Sequence, residues 1–371
     1  MTPPLIPAPD AVPMPAPPFL LWALLMATFF VHVVLMNLVL GGAILGAWAR
    51  LRGRHPDRPH HRLLAVRVGK ALPPLIATAV TFGVAPLLFL QVLYGRLFFP
   101  ASIVMAWPWL AVIGLLLVAY YGAYAISFRA DLRPWASASL ATGVAVLFVA
   151  IAFVYVNVMT AMLQPGALLD AHLRDPRGDH LGLADPTLWP RFLHVVLGSL
   201  ALAGMSVAHM GLAASKDEAG FGRFAVRQGS AWFLLATAAN LVVGAWLLMA
   251  QPRATLLALA GRDPLAAAVL GAGTLAGLAA LGATVLAVQA ERAASLLRAA
   301  GGLLLLAVGA MLLTRDQVRR AALAASGFEP TPWVVPQWGP AVLFLLTLLA
   351  ALGTVAWMVA AILRGSGGRA R

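Results

Sequence analysis

The stretch 19-FLLWALLMATFFVHVVLMNLVLGGAILGAWA-49 has no charged residue and contains a single imidazole, His32. About 20 consecutive apolar residues suffice to cross the hydrocarbon core of a bilayer as a helix. This run exceeds that length, and in lipid only a helix or a closed barrel satisfies every backbone polar group internally. The stretch therefore predicts a membrane-spanning helix. It also raises a chemical question, because lipid gives a lone imidazole no favourable partner.

The rest of the chain follows the same pattern. Its 371 residues are 61% hydrophobic and 11% charged, with a mean hydropathy of +0.88; soluble domains carry roughly 25% charge. Hydrophobic runs at about 18–49, 71–99, 102–128, 135–162, 189–214, 224–250, 264–290, 295–314 and 338–363 predict an all-α polytopic bundle of nine transmembrane helices. Pro73, Pro74, Pro86 and Pro108 are expected to kink the second and third spans. Residues 1–17 read as a proline-rich, extended N-terminal tail, 18–364 as one transmembrane bundle and 365–371 as a basic tail.

The net charge of +13 does not point to nucleic acid. Arg50, Arg52, Arg54, Arg58, Arg62, Arg67 and Lys70 crowd one interhelical segment, as expected of a cytoplasmic anchor on anionic lipid. Most other short-loop cations fall on the same side of a nine-span chain, which places the N-terminus outside and the C-terminus in the cytoplasm. Arg315, Arg319 and Arg320 count against this, on the outer side. The expected location is the bacterial inner membrane. No cysteine is present, so disulfides, iron–sulfur clusters and covalent c-type heme are excluded.

All thirteen acids fall in loops, tails or span edges, so no buried ion pair or carboxylate relay is expected inside. Proton-coupled transporters usually need such acids. The remaining interior groups are His32 in span one and His194 and His209 in span five. Histidine and methionine ligate heme iron without adding charge. His194 and His209 are fifteen residues apart, about 22 Å along a helix and ~60° in azimuth, so they can face one interior at two depths. Met249 and Met311 lie at about the depth of His194 and are weaker candidates for its second ligand. For each histidine a hydrogen bond to a neighbouring helix is the competing reading, and for His209, near the span's end, an interfacial one. His55, His60 and His61 read as solvated interface.

Four motifs together resemble subunit I of the cytochrome bd-type quinol oxidases: HVVLMNLVLG at 32–41, GVAPLLFLQVLYG at 83–95, VYVNVMTAMLQPG at 154–166 and PTLWPRFLHVVLGSLALAG at 186–204. The resemblance covers about 18–250, leaving 251–364 divergent. It implies a nine-helix bundle holding one to three hemes b near the outer face, with His32 and His194 as axial ligands. It also implies contact with the quinone pool and a membrane partner subunit. The family's second-span glutamate is matched by Gln91, its third-span acids are missing, and its quinol loop shrinks to AQPRATLLALAGRDP at 250–264. Span seven holds no methionine.

The first functional expectation is a heme b membrane cytochrome that moves electrons between the quinone pool and a redox partner outside, such as a c-type cytochrome. A standard oxygen-reducing site is not expected. A heme-poor anchor subunit of a larger respiratory complex is the alternative; a quinol:oxygen oxidoreductase and a solute transporter rank lower.

Overall fold

A computed structural model of the chain describes residues 13–129, 132–289, 293–325 and 333–365. Nine helices among them are long and apolar enough to cross a membrane. They are α1 (Pro18–Arg52), α2 (Pro59–Val104), α3 (Ala106–Phe128), α4 (Pro134–Ala161), α6 (Leu188–Ala214), α7 (Ala219–Met249), α9 (Pro264–Gln289), α10 (Ala293–Ala325) and α11 (Trp338–Gly365). Two short helices, α5 (Pro165–Arg174) and α8 (Arg253–Leu257), lie in connections, and a π turn follows α8. Among the described residues there is no strand. The chain is a multi-pass membrane bundle.

Local chemistry sets the boundaries. Five helices (α1, α2, α4, α5 and α9) begin on a proline, whose fixed φ suits the first helical position and whose missing N–H would be unbonded there anyway. Asp263 caps α9, its Oδ1 accepting from the backbone N–H groups of Leu265 (3.0 Å) and Ala266 (3.1 Å). The expected proline kinks take a different form. Pro73, Pro74 and Pro86 lie inside α2, whose one non-helical residue is Tyr94, beside Gly95 and ahead of Pro100. Pro108 stands in the first turn of α3, where it breaks nothing.

Helices in lipid pack mainly through small residues that let backbones approach closely. At Gly41 of α1, an added Cβ would collide with the Ser199 carbonyl of α6 and stand 2.8 Å from the Ala203 Cβ. The buried Asn37 and Ser199 side chains are joined across this contact at 2.5 Å. Helices α6 and α7 meet the same way: a Cβ on Gly204 would lie 2.7 Å from the Phe233 nitrogen. Their register is antiparallel, with Gly211 against Gly222 and Val226, Gly204 against Gly229 and Phe233, and Gly198 near Asn240.

The proline-rich segment is more than a lead-in. Met14 is buried and forms an isolated parallel bridge with Val334; its N–H donates to Trp333 (2.9 Å) and its carbonyl accepts from Val335 (3.0 Å). Residues 1–12 of the expected tail, and 366–371 of the basic tail, lie outside the described residues.

The end of the bundle carrying the turn 53–58 is called the basic end. At the opposite end the 163–188 connection folds back on the helix ends. Gly182 N–H donates to Asn157 Oδ1 (3.1 Å), and Trp107 N–H donates to the carbonyl of Gly178 (2.9 Å). Gly178 has φ +78°, a conformation that L side chains rarely adopt. In this exposed loop the Arg177 guanidinium holds the Asp175 carboxyl down to about 2.

Neighbouring glycines make a sharp test. A Cβ at Gly42 meets nothing within 4 Å, whereas one at Gly41 strikes α6. Gly41→Leu is expected to destabilise the detergent-solubilised protein by ~3 kcal/mol or more, and Gly42→Leu by less than ~0.5 kcal/mol, in thermal denaturation followed by circular dichroism.

Candidate functional site

His32 and His194 are brought into the same half of the bundle by the α1–α6 contact. Helices α1 and α6 run parallel, and Gly41 is level with Ser199. Counting back nine residues to His32 and five to His194, at 1.5 Å per residue, places both towards the opposite end, ~6 Å apart in depth. His209 lies ten residues beyond Ser199, ~15 Å towards the basic end.

The three rings have different surroundings. His32 Nδ1 is 2.9 Å from the Ala79 carbonyl on α2. A carbonyl only accepts, so in the neutral ring Nδ1 carries the proton and Nε2 keeps the lone pair. His209 repeats this with the Met205 carbonyl at 2.8 Å. His194 differs: its Nδ1 is buried with no hydrogen-bond partner. The Asn240 backbone of α7 faces that ring without completing a well-formed bond to it, and Asn240 Oδ1 is also buried and unpaired.

Each ring faces a glycine on another helix. A Cβ on Gly83 would stand 2.7 Å from His32 Cε1, and one on Gly301 2.8 Å from His209 Cε1. These two rings are packed closely against their neighbours. At Gly244 the same atom would be 3.4 Å from His194 Cε1, an ordinary contact. Of the three, His194 alone has a buried Nδ1 without a partner, and it has the roomiest glycine opposite.

One turn before His194, on the same face of α6, is Arg191. Its Nε is buried and unpaired, while Nη2 reaches the Thr187 hydroxyl at 3.3 Å. Arg191, Arg315 and Arg319 line a small pocket with Met159, Met162 and Leu163. The two α10 arginines overturn two expectations. The eighth span does not end at 314: α10 continues to Ala325, so Arg315 and Arg319 are tucked into the bundle. Their guanidinium carbons lie 4.8 Å from the ring centres of Phe29 and Tyr94 respectively.

The interior is not free of acids either. Asp316 is 1% exposed. It accepts from Trp22 Nε1 (2.8 Å), Arg320 Nε (2.8 Å) and Arg319 Nη1 (3.4 Å). The expectation of no buried ion pair fails because the acid lies on a helix extension that α1 covers. A run of charges in 315–320 looks like a loop when read for hydropathy alone. The signal that could have shown otherwise is the i, i+3 and i, i+4 spacing of Arg319 and Arg320 from Asp316.

The weaker candidates scatter. Gln91 is half-buried on α2, eight residues beyond Gly83, or ~12 Å. Met249 is 70% exposed at the end of α7 and turned away from the interior. The Met311 methyl packs towards Gly273 of α9. His60 and His61 are not simply solvated, since both rings contact Phe224. Among the described residues, no three His, Cys, Asp or Glu side chains come together as a metal-ion site.

No protein-family model matches the sequence, and no curated protein matches it. A solved structure does. The chain is similar to one in the structure of bd oxidase from Geobacillus thermodenitrificans, with a TM-score of 0.73 and 15% identity, covering 97% of this chain and 100% of that one. The likeness spans nearly the whole length of both chains. It shows that the chain shares the fold of that bd oxidase chain.

Asp316→Asn removes the carboxylate bonded to Arg319 and leaves that buried guanidinium without its counter-charge. A loss of about 3 kcal/mol is expected, read as a lower thermal midpoint of the solubilised protein. Adding Arg319→Gln to that variant is expected to restore part of the loss.

Proposed function

We propose that the chain is a heme b membrane cytochrome of bd-like type, moving electrons between the quinone pool and a redox partner at the opposite end of the bundle. The observation that carries this reading is the buried, unpartnered Nδ1 of His194, beside a pocket lined by three arginines. An unpaired buried polar atom costs about 1–3 kcal/mol, and coordination to iron removes that penalty. Porphyrin iron takes four ligands from its own macrocycle, so one or two side chains suffice and no cluster is needed.

His194 and His32 would hold hemes as axial ligands. The Ala79 hydrogen bond on His32 leaves Nε2 as the coordinating nitrogen, the arrangement by which backbone carbonyls orient metal-bound histidines. His209 offers the same tautomer nearer the basic end. Heme iron supplies reversible one-electron chemistry. Arg191, Arg315 and Arg319 contribute positive charge that favours the electron-rich state and receives carboxylates. The apolar helix faces exclude water and fix the rings.

Gln91 can donate and accept hydrogen bonds but cannot carry a negative charge or a proton. The carboxylate of Asp316 is engaged by two arginines and a tryptophan. These residues favour electron transfer over reduction of oxygen to water, which consumes protons. The basic end faces the cytoplasm on the positive-inside rule, which puts the N-terminus outside.

A second reading is a heme-poor anchor subunit that recruits other respiratory proteins. The tight contacts of Gly83 on His32 and Gly301 on His209 favour it, because neither ring has open space before it.

The pyridine hemochrome spectrum of the purified protein separates the two. A b-type spectrum is expected, with His194→Ala abolishing one low-spin signal and His32→Ala removing a separate heme. A colourless preparation of folded protein would replace this reading with the anchor.

A further inference from the structure

A second concave site lies at the basic end, far from the histidines. It is an open-sided crevice between α1, α2, α3 and α4, with Gly42, Gly46, Gly69, Ile126 and Val144 in its wall and Arg50 as its one charged lining residue. The wall is apolar and made shallow by glycine. At Gly42 an added Cβ would meet open space. At Gly69 it would collide with Arg50 Nη2, so the guanidinium lies across the bare backbone of α2 instead of reaching outward.

Arg50 has no hydrogen bond or ion pair among the described residues. Other cations fall at the ends of the same helices: Lys70 follows Gly69, Arg129 caps the end of α3 and Arg133 the start of α4. Of the acids at this end, Asp57 lies beside Arg58 (3.9 Å) and Glu218 is bound to Arg67. An apolar crevice with a cation at its mouth, set where helix ends meet the membrane surface, matches an anionic amphiphile. A wholly apolar ligand would leave Arg50 without an acceptor. A free anion would leave the wall of the crevice bare.

We propose that this crevice seats one anionic diacyl phospholipid, its phosphate on the Arg50 guanidinium and part of an acyl chain along the glycine-lined wall. The site is independent of any heme.

Native mass spectrometry of the full chain, with dioleoylphosphatidylglycerol or dioleoylphosphatidylcholine added to the delipidated protein in mild detergent, tests it. The wild type is expected to retain one phosphatidylglycerol at about five-fold lower lipid concentration than phosphatidylcholine, the effect of one interfacial cation. Arg50→Gln is expected to erase that preference, and Gly42→Leu, which fills the crevice, to evict both lipids with an unchanged melting temperature. Equal retention of the two lipids by the wild type would overturn the proposal, as would an Arg50→Gln protein that keeps its preference or a folded Gly42→Leu protein that keeps its lipid. Should Gly42→Leu not fold, Arg50→Gln decides alone.

Discussion

The contact between α1 and α6 at Gly41 and Ser199 sets the geometry of the molecule. Lipid tails are as apolar as leucine, so helices in a membrane gain little by hiding hydrophobic side chains from them. Association must come from close packing and from polar groups that find each other. Here one glycine admits a backbone carbonyl, and beside it the Asn37 side-chain oxygen accepts from the Ser199 hydroxyl. The two helices that carry His32 and His194 are thereby locked in one register. Moving either helix by one turn would shift its histidine by ~5.4 Å relative to the other.

A similar logic extends to α7 through Gly204, Gly211, Gly222 and Gly229. These residues bring α6 and α7 so close that Phe233 packs fully buried at the seam. Further along the seam, at Gly198 and Gly244, contacts loosen from under 3 Å to about 3.5 Å. His194 and Asn240 occupy that looser part, and both keep an unpaired buried atom. Tight packing at the basic end and slack near His194 are two parts of one interface.

The spans were legible because lipid imposes a crude rule, a long uncharged run, that any sequence must obey. The site was only half legible. His32 and His194 stand out as polar residues in apolar runs, so hydropathy flags them. Arg191, Arg315, Arg319 and Asp316 do not, because hydropathy reads each charge as solvated and cannot see that Asp316 pairs with Arg319 under α1. The end of the eighth span was misplaced for that reason. Gly41 and Gly42 show another limit: adjacent and chemically identical, one faces α6 and the other faces a crevice, a difference of azimuth that no single helix reveals. Tyr94 shows a third, since the irregularity in α2 falls there although four prolines lie elsewhere in the helix.

The two ends of the bundle treat positive charge in opposite ways. At the basic end most cations are exposed, and one that is not, Arg50, lies in a crevice that opens outward. At the opposite end three arginines are drawn into the protein, and a single carboxylate, Asp316, engages Arg319 together with the more exposed Arg320. Burying a cation without a counter-charge costs several kcal/mol, so an excess of arginine over acid beside His194 has to be stabilised by something else. Ring faces account for part of it: Arg315 over Phe29 and Arg319 over Tyr94. Such contacts contribute roughly 1–2 kcal/mol each when desolvated, less than the burial demands. Arg191 has no such ring contact among the described residues and retains an unpaired nitrogen. The charge imbalance therefore falls on the residue one turn from His194, where Asp185 offsets it in part.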